Sequence, residues 1–171
     1  MTSILHFQPQ TLAVVGFYVK DNKVLLGKRL KSKMDFGLDL YAGIGGKLEQ
    51  NETLDQALKR EFLEEVNATP LKFEQIGKVA YNFLHKDQES KWNLLVYPYI
   101  IFEVDKEPTA TDITEPVWFN KNAMPYENMW VDDFYWIHLV LKQQDFYAEV
   151  VYKDADNLDS ILIKYKNKFI K

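Results

Sequence analysis

A mixed α+β fold, a β-sheet with helices packed on it, is predicted by three features of the chain. A hairpin pattern lies near the N-terminus, one sharply bounded amphipathic helix lies in the first half, and strand-like segments follow it, interrupted by a second helix. Leu12 to Val19 is a β-branched and aromatic run, Lys20-Asp21-Asn22-Lys23 supplies a turn, and Val24 to Gly27 returns antiparallel. From Arg29 to Ala42 the pattern lapses around Lys31, Lys33 and Gly37, which predicts a loop of the length that often borders a site.

Thr53 followed by Gln56 forms a capping box, and Leu54, Leu58 and Phe62 carry a helix to about Val66. Asn67 suits a left-handed C-cap, and Pro70 prevents continuation. Strands are expected at about Ile76 to Phe83, Leu94 to Val104 and Val117 to Phe119, with a second helix from Asp132 to about Gln143. Phe146 to Tyr152 and Ser160 to Tyr165 read as a closing hairpin around Asp-Ala-Asp-Asn. No repeat or linker interrupts the pattern, so residues 1–171 are read as a single domain.

Hydrophobic residues at 47% and aromatics at 15% exclude a disordered chain. A net charge of −4 gives no pull toward a nucleic-acid polymer or an anionic membrane surface. Without cysteine, neither a disulfide framework nor a thiolate metal site can form. Met1 to Gln10 lacks a secretory pattern and no stretch approaches a membrane span, so a soluble, cytoplasmic protein is expected. His6, His85 and His138 lack metal-ligand spacing and are assigned to surface or core.

At roughly 100° per residue, Glu61 and Glu65 project within roughly 20° of Leu54, on the stripe that also carries Ala57 and Leu58. With Glu64 at its margin, the three acids form an i, i+3, i+4 set able to converge above the helix. Buried carboxylates require a compensating cation. Arg60 is one candidate, and a divalent metal, with its preference for hard oxygen ligands, is the other. The bland alternative is a solvated acidic face. The preceding Gly43, Gly45 and Gly46 favour a site, because backbone without side chains can approach a ligand closely.

The run GKLEQNETLDQALKREFLEEVNA, Gly46 to Ala68, resembles the Nudix box, departing from it at Asn67, where the family usually has Gly. The resemblance implies a Nudix fold, an α/β/α sandwich, and hydrolysis of a diphosphate linkage. It implies Mg²⁺ or Mn²⁺ held by Glu61, Glu64, Glu65 and the Gly45 carbonyl, with Arg60 orienting the acid beside it. Glu61 or Glu64 would accept the proton of the attacking water. Glu52 is read as structural, holding the loop to the helix.

A second segment, Met129-Trp130-Val131-Asp132-Asp133-Phe134-Tyr135-Trp136, is similar to one in the oxidised purine nucleoside triphosphatases, the 8-oxo-dGTP diphosphatase subfamily. Phe36, Tyr81 and Trp118-Phe119 fall at matching places. The likeness implies a small nucleotide substrate, with Trp130 stacking on the base and Asp132 and Asp133 bonding its edge. Read without it, Asp132 is the second helix's N-cap and Trp130 is core. An Asp pair sharing a proton can present either a donor or an acceptor. Ala42 stands where the subfamily has a base-contacting Asn, and Ile113 where counting places an auxiliary glutamate, so Asp112 and Glu115 become its candidate replacements. Lys28, Arg29, Lys31 and Lys33 either steer a triphosphate or form a solvated basic loop. ADP-ribose or another diphosphate, and a binding module with weak catalysis, are the alternative readings. A monomer is expected, with a dimer as the alternative.

Overall fold

A computed structural model describes residues 11–31, 39–84, 93–154 and 157–165. Phe36, Lys33, His6 and His85 lie outside the described residues. The predicted hairpin is present as β1 (Thr11–Lys20) and β2 (Lys23–Arg29). Asp21 and Asn22 turn it with φ of 49° and 60°, a left-handed pair that Asn and Asp tolerate and that matches the twist of the flanking strands.

The glycine-rich stretch contains strand rather than turn alone. β3 (Tyr41–Ala42) pairs with β2, and β4 (Ile44–Lys47) runs antiparallel to β1. A Cβ on Gly45 would stand 2.0 Å from the Val14 carbonyl oxygen, so this glycine lets two backbones meet. The close approach assigned to a ligand is, at Gly45, an approach to β1.

Helix α1 (Leu54–Val66) keeps its predicted ends. Thr53 and Gln56 complete the reciprocal capping box, and Asn67 takes φ 55° while its N–H bonds Leu63. A strand not expected from the sequence follows, β5 (Pro70–Gln75). Proline is compatible with the first residue of a strand, which is why a helix-stop signal did not exclude one. Gly77, at φ 74°, separates β5 from β6 (Lys78–Phe83), so Ile76 lies before the strand it was expected to open.

The 11-residue β7 (Leu94–Val104) pairs with β6 at one end and β5 at the other, and lies parallel to β1. β8 (Thr114–Asn120) borders β2. After a single 3-10 turn at Tyr126–Asn128 comes α2 (Asp133–Leu141), then β9 (Phe146–Tyr152) and β10 (Leu158–Tyr165). Helix α2 ends before Gln143, which sits at φ 55°. The strand order is β10-β9-β6-β7-β1-β2-β3, with β4, β5 and β8 paired beside this path.

Alternation along β1 and β2 divides the interior between the two faces of the sheet. Val14, Tyr18, Leu25 and Ile44 pack with Ala57, Leu58, Phe62 and Val66 of α1. Phe17, Val24, Leu26 and Ile100 pack with Trp136, Ile137 and Val140 of α2. The sheet is therefore sandwiched between the helices. Fully burying each of these large side chains is worth about 1.5–3 kcal/mol. At Gly16 an added Cβ would come within 2.7 Å of Phe62 and Ile101 side-chain atoms, so this glycine sets how closely α1 lies on β1.

Candidate active site

Helix α1 carries its acids on the turns that pack toward β4 and β8. Arg60 is the centre of the network: Nε and Nη2 donate to the two oxygens of Glu52 at 2.8 and 2.9 Å. Nη2 also reaches the Lys47 carbonyl at 3.1 Å, while Nη1 donates to Glu61 at 2.7 Å and Glu64 at 3.4 Å. This fork ties the loop before α1 to the helix, and the Glu49 N–H secures Glu52 from the other side at 2.9 Å. Glu52 thus has the structural geometry expected of it. The Arg60 guanidinium holds the Glu52 carboxyl below its ordinary range.

Glu65 faces elsewhere. It accepts from the Thr114 hydroxyl at 2.8 Å and from the Gly45 N–H at 3.3 Å. Burial, reinforced by the charge of Glu61, pushes its carboxyl up to about 7, against the opposing effect of those hydrogen bonds and of Arg29. Burial also raises Glu61, with Arg60 opposing. Glu64 is half exposed, at 53% of its side chain, and has the freest access to solvent of the three.

The expected convergence of Glu61, Glu64 and Glu65 on one point is not present. Arg60 draws two of them to itself, Thr114 holds the third, and among the described residues no three carboxylate or imidazole groups stand as a ready cation cage. The donor chemistry nevertheless fits a hard cation. Two carboxylates are raised by burial next to a helix with one guanidinium among four acids, and a Cβ on Gly46 would lie 2.5 Å from Glu61 Oε1, so the carboxylate rests against bare backbone.

The residue that holds Glu65 from β8 is Thr114, buried at 2% exposure and not singled out in the sequence. Its neighbours behave differently: Asp112 is ion-paired to Lys31 at 2.7 Å, Glu115 is exposed, and Ile113 is exposed at 41%. Thr111 adds a bond from its hydroxyl to the Glu65 carbonyl at 2.9 Å. Among the described residues of the basic loop, Lys28 pairs with Asp39 at 3.4 Å and Lys31 with Asp112, and the charge of Arg29 is felt at Glu65.

On the other face, Asp132 and Asp133 are buried at the start of α2. Asp132 stands at the N-cap position, but its side chain makes no capping bond. It turns instead into the core, where Oδ2 accepts from Tyr81 at 2.6 Å and from the Trp136 indole N–H at 2.8 Å, and Oδ1 accepts from the Tyr152 hydroxyl. The N-cap reading is corrected by these three donors, which outbid the first helical amides. Burial, and next the charge of Asp132, push Asp133 well above the ordinary carboxylate range. Both tyrosines are raised too, first by burial and then by Asp132, and so remain donors.

Trp130 is half-buried rather than core, and its carbonyl accepts from the Asp133 N–H at 3.0 Å. Tyr81, expected to touch substrate, spends its hydroxyl on Asp132. Ala42 lies opposite Gly27, whose missing side chain would point at Thr114 and Ile44. Register therefore places Ala42 on the α1 face, away from Asp132. Trp118 packs on Tyr18 on that face, and Phe119 packs edge-on against Tyr41 on the other. His138 is half-buried on α2.

Residues 9–140 match the NUDIX domain family. The chain belongs to the Nudix family. This Nudix hydrolase is 27% identical over 168 residues to the oxidized purine nucleoside triphosphate hydrolase of Mus musculus, covering 98% of the chain and 96% of the relative. It is 30% identical over 158 residues to the protein of the same name from Danio rerio, covering 91% and 92%. Among solved structures, a MutT protein from Bacillus halodurans superposes with a TM-score of 0.73 at 19% identity, covering 90% of this chain and 97% of that one, a likeness of fold. The Gly46 to Ala68 run lies inside the matched residues, and β9 and β10, beyond them, join the same sheet. No described helix is long and apolar enough to cross a membrane.

Proposed function

We propose that this Nudix hydrolase cleaves a purine nucleoside triphosphate, oxidised or not, to monophosphate and pyrophosphate. The observation that carries the reading is the buried Asp132–Asp133 pair beside half-buried Trp130, on a chain whose α1 holds the family's acid set. The pair offers hydrogen-bonding groups suited to a purine edge, and Trp130 offers a stacking surface. The names of the mouse and zebrafish relatives support the same substrate class.

In this reading Mg²⁺, or Mn²⁺, would be held by Glu61, Glu64, Glu65 and the Gly45 carbonyl. When bound, such an ion supplies charge stabilisation at phosphate oxygens and a more acidic water. Arg60 keeps Glu61 and Glu64 on one side of the helix, Thr114 keeps Glu65 turned inward, and half-exposed Glu64 is placed to accept a proton from the attacking water. Arg29 adds positive charge beside Glu65, where a phosphate would be welcome.

A second reading, a nucleotide-binding module with weak catalysis, is favoured by one observation: Glu61 and Glu64 are committed to Arg60, so forming a cage requires them to turn. Pyrophosphate release with Mg²⁺ across normal and oxidised purine triphosphates, with AMP formation from ADP-ribose as control, separates the two. Turnover of a purine triphosphate that falls by at least about 100-fold in Glu64→Gln is expected. Nucleotide-dependent thermal stabilisation without turnover would instead establish the module.

A further inference from the structure

Residues 109–114, running from the β7–β8 connection into β8, close onto the last turn of α1 through three threonines. The Thr109 N–H donates to the Val66 carbonyl at 2.9 Å, and the Thr109 hydroxyl accepts from the Asn67 side-chain amide at 3.2 Å. The Thr111 hydroxyl donates to the Glu65 carbonyl at 2.9 Å and accepts from the N–H groups of Ile113 and Thr114, each at 3.2 Å. The Thr111 N–H returns to the Thr114 carbonyl at 3.0 Å, which closes the turn. Thr114 then donates its own hydroxyl to Glu65 Oε2 at 2.8 Å. One residue of α1 is thereby held twice from a single turn, at its backbone by Thr111 and at its carboxylate by Thr114.

Resting on the reading in which Glu65 holds a divalent cation, we propose that Thr114 is a positioning residue for that cation. Its hydroxyl aims the Glu65 carboxylate, and β8 gives the acid site this neutral donor rather than a further carboxylate. The acids beside Thr114 in the chain are directed elsewhere: Asp112 pairs with Lys31 at 2.7 Å, and Glu115 is exposed. An ionised carboxylate has about four lone-pair sites. The Thr114 hydroxyl takes one on Oε2 and the Gly45 N–H takes one on Oε1, which leaves each oxygen a site for a hard cation. Without the hydroxyl, a buried acceptor is left unsatisfied, and the carboxylate has to turn to find another donor.

The hydroxyl is itself aimed by the rest of the side chain. A Cβ on Gly27 would stand 2.5 Å from Thr114 Cγ2, so the methyl group occupies room that Gly27 leaves across the β2–β8 pair. With the methyl of a β-branched side chain fixed, χ1 is fixed, and the direction of the hydroxyl follows. The backbone is held as well, because Thr114 pairs with Arg29 in the β2–β8 register and its N–H is bound by Thr111. Thr114→Val removes the donor and keeps the branched shape, whereas Thr114→Ser keeps the donor. Gly27→Ala displaces the Thr114 methyl while every polar side chain stays.

The first readout is Mn²⁺ binding to the full chain without nucleotide, followed by loss of the free-ion electron paramagnetic resonance signal, with a urea melt to check folding. Thr114→Val should raise the Mn²⁺ Kd by about 10-fold or more, and Thr114→Ser should stay within about threefold of the native protein. Gly27→Ala should weaken Mn²⁺ in the same direction, and takes over under the same criterion if Thr114→Val does not fold. Binding within about twofold of native in Thr114→Val, with Glu65→Gln weakened by about 10-fold or more, would overturn the proposal and leave the cation reading standing. Glu65→Gln binding as the native protein does would overturn both, because Glu65 is then no ligand. The second readout is the Mg²⁺ concentration that gives half-maximal pyrophosphate release, which should rise in Thr114→Val by the same factor as the Kd. A lower maximal rate at an unshifted Mg²⁺ requirement reduces Thr114 to packing.

Discussion

Arg60 shows how much one side chain can organise. Its fork closes on Glu52 while its remaining donors reach Glu61, Glu64 and the Lys47 carbonyl. Lysine has the charge but not the planar fork. Arg60→Lys should therefore lose about 2 kcal/mol, seen as a lower urea midpoint at unchanged slope, together with most of the turnover. Asp133 supplies a pH prediction. Unfolded, it releases its proton near the ordinary aspartate value of 3.8; folded, burial places its pKa well above that. The native state then binds more protons than the unfolded one, so this group's contribution is full below the unfolded value and is lost as pH rises through the folded one. Asp133→Asn removes the linkage, and its stability relative to the native protein should improve steadily from about pH 4 upward. A pH-independent difference would show that Asp133 ionises inside the fold.

At the scale of elements, local chemistry was the most legible part of the sequence. Both ends of α1 were readable because they are set by groups within four residues of one another: Thr53 with Gln56, and the Asn67 backbone N–H donating to the Leu63 carbonyl. Asn67→Gly should leave stability unchanged or raise it slightly, whereas Asn67→Ala, forced into a left-handed backbone, should cost about 1 kcal/mol by thermal denaturation. What depended on distant partners was not readable. β5 exists because the far end of β7 offers it hydrogen bonds, and β3 and β4 exist because β2 and β1 do. The same division runs through the site. Trp136 lies one helical turn from Asp132, a spacing visible in the sequence, while Tyr152 and Thr114 are brought in by sheet pairing across 20 and 49 positions. The three glutamates, able to converge by spacing, are held apart for a related reason. Helical spacing fixes where side chains start, but Arg60 and Thr114 decide where they end.

Across the whole molecule, β1 and β7 form a parallel pair whose outer flanks are filled by relays of shorter strands. β7 is covered by β6 and then β5, and β1 by β4 and then β2. The cores on the two sides of the sheet both draw on this pair, Val14 and Ile101 in one and Phe17 and Ile100 in the other. Neither central strand presents a long free edge, whereas β10 ends the strand order among the described residues. Backbone amides in β1 and β7 can therefore meet solvent deuterium only when the sheet opens as a whole, while outward-facing amides of β10 need only local fraying. In a native-state exchange experiment, the β1 and β7 amides should converge on a single opening free energy equal to that of global unfolding, and both helices should exchange before them. The acids of α1 and the buried pair at α2 would then be able to loosen independently while their common support stays shut.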